Sequence, residues 1–215
     1  MKFDIITIFP KIFDSYFNES IIKRAIQKKI IEINIHDLRD FSKNKHRKVD
    51  DTPYGGGAGM LMTPQSLYDC IQEIKKTNKG PVVFFTPDAK ILTQNKCENF
   101  SKKNNSYILI CGRYEGIDQR IRDLIVDIEI SIGKYILTGG EIPAMIFVDS
   151  ITRLIEGALN TNESHEEDSF SKKLKRKKEY PQYTRPPRFK GLAVPDILLS
   201  GNHEKINKWK KSKLK

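Results

Sequence analysis

The residues best placed to do chemistry lie in two glycine-rich turns, each of which follows an apolar run. Residues 107–111 (YILIC) lead into residues 112–116 (GRYEG), and residues 128–137 lead into residues 138–141 (TGGE). A short apolar run bounded by turn signals is typical of a buried strand. Ligands of open α/β sheets bind beyond the carboxyl ends of the strands, and glycine lets the backbone approach a ligand closely. The two turns are therefore predicted to form one crevice, although each could by itself be an ordinary tight turn.

A third glycine-rich segment, residues 52–60 (TPYGGGAGM), contains Gly57 and Gly59. It is not a phosphate-binding P-loop, because no Lys-Ser/Thr pair follows the glycines, and it lacks the glycine spacing of a dinucleotide-binding turn. Composition alone therefore favours a linker at this position.

The chain is strongly basic, with 38 lysines and arginines against 27 acidic residues in 215 and a net charge of +11. This charge favours a polyanionic partner, either nucleic acid or an anionic membrane surface. No apolar run is long enough to span a bilayer, and the strand-like start MKFDIITIFP does not resemble a signal peptide. We therefore expect a cytoplasmic protein. The three cysteines and four histidines are scattered, which predicts neither a disulfide framework nor a zinc site.

Short apolar runs alternate with helical patterns along the first 159 residues, which predicts an α/β domain with a largely parallel sheet. A polar, basic loop is predicted at residues 40–51. Thr63 is predicted to cap a helix whose first residue is Pro64. The predicted strands are residues 3–9, 30–35, 81–86, 107–111 and 128–132, and the predicted helices are residues 20–29, 64–76, 93–100, 117–126 and 142–159.

Composition changes after residue 159 and divides the chain into three parts. Residues 1–159 are predicted to be one domain. Residues 160–181 switch from an acidic run to a lysine run without an apolar period, which predicts a partly mobile interdomain linker. Residues 182–215 are predicted to be a small C-terminal domain ending in a basic helix from His203, with Asn202 as its cap.

Several motifs in fixed order resemble one enzyme family. The segments FDIITIFP, DLRDF, YGGGAGM, CGRYEGIDQR, SIGKYILTGGE, EDSF, YTRP and LLSGNH are together similar to those of the bacterial tRNA (guanine-N1-)-methyltransferases, which belong to the SPOUT class. The resemblance implies a SPOUT-type open, mostly parallel sheet with a deep trefoil knot near residues 137–140, plus a small helical C-terminal domain. It implies methyl transfer from S-adenosylmethionine (SAM) to N1 of guanosine 37, beside the anticodon. It further implies a homodimer with an active site shared between subunits.

The resemblance also assigns roles to residues. Asp168 would be the base that removes the N1 proton, and Arg153 would stabilise the charge on O6. The expected tRNA contacts are Gly57, Gly59, Lys172, Lys173, Tyr183 and Arg185. The expected SAM contacts are Pro87, Gly112, Tyr114, Glu115, Ile132, Gly133, Tyr135, Ile136, Leu137, Gly139, Gly140 and Pro143.

Each assignment has an ordinary structural alternative. The acidic run around Asp168 could be a solvated linker, and Arg153 could form a helix-surface pair with Asp149, four residues earlier. Tyr114 and Tyr135 could be core residues with a satisfied hydroxyl, and the lysines could be a solvated surface. Mg²⁺ is a candidate cofactor near Glu115, but the sequence shows no carboxylate cage for it and no residue is assigned as a metal ligand.

Two departures from the family pattern are expected to affect tRNA binding. The linker after EDSF is longer and richer in lysine than is usual, and the C-terminal domain is shorter. Two other functions are kept as alternatives: a different SPOUT methyltransferase acting on ribosomal RNA or a ribose, and an RNA-binding module without catalysis. The module would bind tRNA but not SAM, so a thermal shift with SAM separates it from an enzyme.

Overall fold

The computed structural model describes residues 1–159 and 167–215, which fall into two compact units, Met1–Asn160 and Thr161–Lys215. The predicted linker begins at residues 160–166, which lie outside the described residues. Within the described ranges, no helix is long and apolar enough to cross a membrane.

The first unit is built on a five-stranded, wholly parallel sheet in the order β2-β1-β6-β5-β7. Parallel pairing requires a crossover between neighbouring strands, and helices supply most of these crossovers. The carboxyl ends of the strands therefore share one edge of the sheet. The predicted α/β class is confirmed by strands β1 (Lys2–Thr7), β2 (Glu32–Asp37), β5 (Val82–Phe85), β6 (Ser106–Ile110) and β7 (Ile128–Ile130).

Helices cover both faces of this sheet, because successive residues of a buried strand point to opposite sides. Ile5 and Leu109 face one cluster, which includes α2 and α6, whereas Ile6 and Ile110 face another, which includes α3 and α5. Two 3-10 helices, Pro10–Phe13 and Leu38–Phe41, join the main elements. The helices of this unit are α1 (Asp14–Phe17), α2 (Ser20–Gln27), α3 (Pro64–Ile74), α4 (Gln94–Lys103), α5 (Gln119–Ile125) and α6 (Glu141–Thr152).

Two local hydrogen-bond patterns explain why the start of β2 and the cap of α3 differ from the predictions. The strand predicted from residue 30 begins at Glu32, because Lys29 has a positive φ of 57° and Ile30 N–H donates to the Ala25 carbonyl, which closes α2. Thr63 does precede α3, but its hydroxyl donates to the Val49 carbonyl (3.2 Å) and does not cap the helix.

The prediction of a loop over residues 40–51 is wrong at both ends. The 3-10 helix Leu38–Phe41 overlaps its start, and β3 (Asp50–Asp51) forms at its end. Strand β3 pairs antiparallel with β4 (Leu61–Met62), so the glycine-rich segment 52–60 connects the two strands of a small hairpin.

The helix predicted over residues 142–159 is also wrong at its end, because α6 stops at Thr152. The next amides bond three residues back, from Leu154 to Ile151 and from Ile155 to Thr152, which tightens the chain into turns. Gly157 follows with a φ of +80°, which a continuing helix does not allow.

Residues 167–215 of the second unit form a two-stranded hairpin and two helices. Asn202 caps the last helix as predicted, since its side chain accepts from Lys205 N–H at 3.0 Å. Tyr180 is buried, with its ring centre 6.5 Å from that of Trp209. The elements are β8 (Arg188–Phe189), β9 (Leu192–Ala193), α7 (Asp196–Leu199) and α8 (His203–Ser212).

Candidate active site

A cavity of about 250 Å³ opens at the carboxyl ends of β5, β6 and β7. Three segments form its walls: residues 84–87, 112–116 and 130–143. Every residue expected to contact SAM lines this one cavity, namely Pro87, Gly112, Tyr114, Glu115, Ile132, Gly133, Tyr135, Ile136, Leu137, Gly139, Gly140 and Pro143. The predicted crevice between the two glycine turns is therefore present.

Glycines allow the two turns to touch. Gly140 N–H donates to the Gly112 carbonyl at 2.8 Å. A Cβ on Gly140 would lie 2.7 Å from Cys111 Cα, and a Cβ on Gly112 would lie 2.9 Å from the ring of Phe84. Side chains at these positions would push the walls apart, so the cavity depends on the glycines for its shape.

A buried ion pair fastens the same turns to the sheet. Arg113 Nε lies 2.9 Å from Glu141 Oε2, and Glu141 is only 1% exposed. Thr7, the last residue of β1, donates its hydroxyl to Glu141 Oε1 at 2.8 Å. Arg113 also donates to the Thr138 carbonyl (3.0 Å) and stacks over Phe9. Local sequence patterns do not indicate this ion pair, although Arg113 and Glu141 both stand in motifs that carry the family resemblance.

Tyr114 and Tyr135 are exposed at the cavity, so the core-packing alternative is wrong for both. Their exposed fractions are 49% and 54%. Tyr114 has a φ of +59°, a conformation that costs energy for a bulky residue and is enriched at functional sites. Tyr135 donates its hydroxyl to the Ile132 carbonyl at 3.2 Å, which holds the loop after β7.

The loop between β3 and β4 reaches the cavity at Gly59. A Cβ there would lie 2.6 Å from a carboxylate oxygen of Glu115, and Glu115 N–H donates to the Met60 carbonyl at 3.0 Å. Gly57 has a φ of +118° and open space around it. Gly59 thus lies against the cavity wall, and both Gly57 and Gly59 are exposed.

Comparison with known proteins adds the family. The model of the family described as tRNA (Guanine-1)-methyltransferase TrmD matches residues 1–215. The chain belongs to this family. It is 56% identical over 214 residues to the tRNA (guanine-N(1)-)-methyltransferase of Clostridioides difficile, which covers 98% of this chain and 91% of that protein. It is 52% identical to the enzyme of the same name from Clostridium botulinum strain 657, over 99% of this chain and 86% of that protein.

The two residues to which the family resemblance assigns catalysis belong to different compact units. Arg153 directly follows α6 and is half-buried. Asp149, its suggested partner, accepts a hydrogen bond from the hydroxyl of Tyr16. Burial and this bond raise the pKa of Tyr16 to about 12. Asp168 lies in the second unit, where its backbone carbonyl accepts from Ser171 N–H at 3.1 Å.

The remaining tRNA-contact candidates also lie in the second unit. Tyr183 packs its ring 6.4 Å from that of Trp209, and Arg185 is exposed. Lys172 and Lys173 are exposed, and Lys173 lies 3.3 Å from Glu167. Among the described residues, no group of three or more His, Cys, Asp or Glu side chains could hold a metal ion.

Proposed function

We propose that this protein transfers a methyl group from SAM to N1 of guanosine 37 in tRNA. The observation that carries the proposal is that twelve residues named from the family resemblance line a single cavity, in a chain that belongs to the tRNA (guanine-1)-methyltransferase family. A scattered set of these residues would have argued against a common ligand.

The chemistry of the cavity wall suits SAM. Glycine backbone at positions 112 and 139 brings peptide groups to the cavity that can hydrogen-bond to an adenine edge, whereas Gly140 N–H is already bonded to the Gly112 carbonyl. Ile132, Leu137 and Pro143 supply apolar surface, as is usual in ligand pockets. When bound, SAM supplies an electrophilic methyl group on its sulfonium.

The protein's own part in the reaction is to prepare the guanine. N1 of neutral guanine carries a proton, so a base must remove it. We assign this role to Asp168, whose carboxylate takes the proton and leaves N1 with an electron pair. An aspartate of ordinary pKa, about 4, is a weak base, so it must be oriented and shielded from water when tRNA binds.

Removal of the proton places negative charge on O6 of the guanine. We assign Arg153 to stabilise it, because a preorganised cation directed at developing charge lowers the barrier. The backbone N–H of Arg153 bonds to the Asp149 carbonyl, which fixes the main chain of Arg153 at the end of α6.

Contacts with the anticodon stem-loop are proposed for Gly57 and Gly59 in the first unit, and for Lys172, Lys173, Tyr183 and Arg185 in the second. Lysines provide phosphate contacts, which give affinity without reading sequence. Tyr183 and Arg185 provide planar groups on which splayed bases of a single-stranded loop can stack.

The test is methyl transfer from labelled SAM to an anticodon stem-loop carrying G36-G37. Label should enter this RNA, and should not enter a matched RNA with A37. Asp168→Ala should abolish the label while leaving SAM binding intact. Tight RNA binding without any label, and without a thermal shift on adding SAM, would instead identify an RNA-binding module.

We further propose a homodimer in which one subunit holds SAM and the other supplies Asp168. A chain carrying Asp168→Ala, mixed with a chain whose cavity is disabled by Leu137→Asp at its apolar wall, should regain about a quarter to a half of wild-type activity, because mixed dimers keep one complete site. Each variant alone should be inactive. Failure of the mixture to regain activity would contradict a shared site.

A further inference from the structure

Arg122, on α5, contacts the lining residue Phe84 and two residues that adjoin lining residues in the sequence, although it is not itself a lining residue. Its Nε and Nη2 donate to the two carboxylate oxygens of Glu129, at 2.7 and 2.9 Å. Nη2 also donates to Asp88 Oδ2 at 3.1 Å. The guanidinium carbon lies 5.5 Å from the centre of the Phe84 ring.

Each of these three contacts is at the cavity or directly next to it in sequence. Phe84 lines the cavity, and its ring is the atom group that a Cβ on Gly112 would strike. Asp88 directly follows the lining residue Pro87, and Glu129 directly precedes the lining residue Ile130. One side chain therefore connects β5, the loop after β5, and β7.

The strength of these contacts differs. The pair with Glu129 is bidentate, and its side chains are only 21% and 33% exposed, so this contact is strong and geometrically specific. Asp88 is 62% exposed, but it is also held by the hydroxyl of Thr86. The bonds to Glu129 and then to Asp88 raise the pKa of Arg122 above its ordinary value.

We propose that Arg122 is a positioning residue for the methyl donor. It holds the Phe84 ring, the loop of residues 86–88 and strand β7 in the arrangement that receives SAM. The inference rests on the proposed function, because SAM is the ligand assigned to this cavity. Replacing Arg122 changes no lining residue, but it should make the cavity wall less rigid.

The test compares SAM affinity by titration calorimetry in folded variants whose circular dichroism matches the wild type. Arg122→Met should raise the Kd for SAM roughly tenfold, because displacing a binding wall by about an ångström is costly. The Kd of Arg122→Lys for SAM should lie between those of the wild type and Arg122→Met, because the lysine ammonium keeps the charge but cannot form the bidentate bond. Arg120→Met is the matched control: it removes the same group from the same helix, but its partner is Asp118.

A second arm tests the loop contact alone. Asp88→Asn should raise the Kd for SAM about threefold, within the range of a partly exposed ion pair. Its effect should be smaller in an Arg122→Met background, because residues that act through one contact are not additive. If Arg122→Met does not fold, the Kd of Asp88→Asn for SAM still tests whether the contact between Arg122 and the loop positions the donor.

The affinity for tRNA distinguishes a positioning role from a general loss of structure, because a general loss of structure would weaken tRNA binding as well. Arg122→Met should bind tRNA within about twofold of the wild type when SAM is absent, since the residue acts on the donor cavity. Unchanged SAM affinity in Arg122→Met, or an equal loss of SAM and tRNA affinity, would overturn the inference. A wild-type protein that binds no SAM would overturn the proposed function itself.

Discussion

At the scale of single residues, the most exacting requirement outside the cavity is the buried carboxylate of Asp4, which is 2% exposed. Asn78, His36 and Asn34 surround it at 2.7, 2.8 and 3.2 Å. Burial pushes the pKa of Asp4 upward, but the hydrogen bonds from His36, Asn78 and Asn34 outweigh it and hold the pKa below its ordinary value. The charged form therefore helps to join β1, β2 and the segment before β5.

Asp4→Asn should lower the free energy of unfolding at pH 7 by about 1–3 kcal/mol, because it removes charge-assisted hydrogen bonds from a buried site. The folded pKa is depressed, so the wild-type advantage is present above the unfolded value and is lost as the pH falls through the folded value. Urea unfolding at pH 7 and at pH 3 should show the gap shrinking. Asp14→Asn, at an exposed carboxylate, should show no such gap, and an equal gap at both pH values would contradict this account.

The residues that line the cavity could be predicted from the sequence, because they stand in short motifs. The ion pairs between distant residues could not be predicted. The cavity-lining glycines and tyrosines stand in recognisable segments. The pairs Arg113–Glu141 and Arg122–Glu129 depend on how the chain returns to the sheet, and local periodicity carries no information about that path. Arg113 and Glu141 are 28 positions apart and meet because Gly140 allows the turns to touch.

At the scale of elements, apolar spacing continues beyond the helix that it predicts. Ile155 and Ala158 keep the spacing of α6 and still pack inward, one against the main cluster and one fully buried, but they do so from turns. The apolar spacing therefore predicted that the helix ends at residue 159, seven residues beyond the observed end of α6. The bounds of the buried strands β5 and β6 were predicted to within one residue, because glycine, proline or aspartate punctuates them on the sequence.

Gly140→Ala tests the contact between the two turns. The added methyl would meet backbone atoms of Cys111 and Gly112 at under 3 Å, which neither turn can relieve by a side-chain rotation. We expect the free energy of unfolding to fall by about 1–3 kcal/mol, as for other overpacked sites. The Kd for SAM, measured by titration calorimetry, should rise as well, since the turns form the cavity.

Gly157→Ala is the control for this prediction. Gly157 has a φ of +80° and a nearest contact of 3.4 Å to Ile30, so alanine there costs backbone strain but does not alter the cavity. The free energy of unfolding should fall in both variants, whereas the affinity for SAM should fall only in Gly140→Ala. Wild-type SAM affinity in Gly140→Ala would show that the contact between the turns does not shape the cavity.

At the scale of the whole molecule, the charge of +11 is spread over both units, but the lysine run after Asp168 concentrates it beside the assigned base. Residues 167–178 are compactly folded: Phe170 N–H donates to the Lys177 carbonyl, and Arg176 N–H donates to that of a buried Ser171. The turns leave Lys172, Lys173 and Lys175 exposed together. The three-part domain division remains a prediction, with residues 167–181 lying inside the second unit.

This arrangement predicts that the three lysines contribute to tRNA affinity through phosphate contacts. Replacing Lys172, Lys173 and Lys175 together by Ala should raise the KM for tRNA and leave the KM for SAM unchanged. Each lost phosphate contact should make the slope of log affinity against log salt shallower by about 0.7–0.9. Because Lys173 must give up Glu167 to reach a phosphate, we expect a total change of about 1.5–2.5. Removing three exposed lysines from the first unit (Lys23, Lys28 and Lys79) should change the slope much less; equal slopes in both variants would mean that net charge, and not the segment beside Asp168, attracts the tRNA.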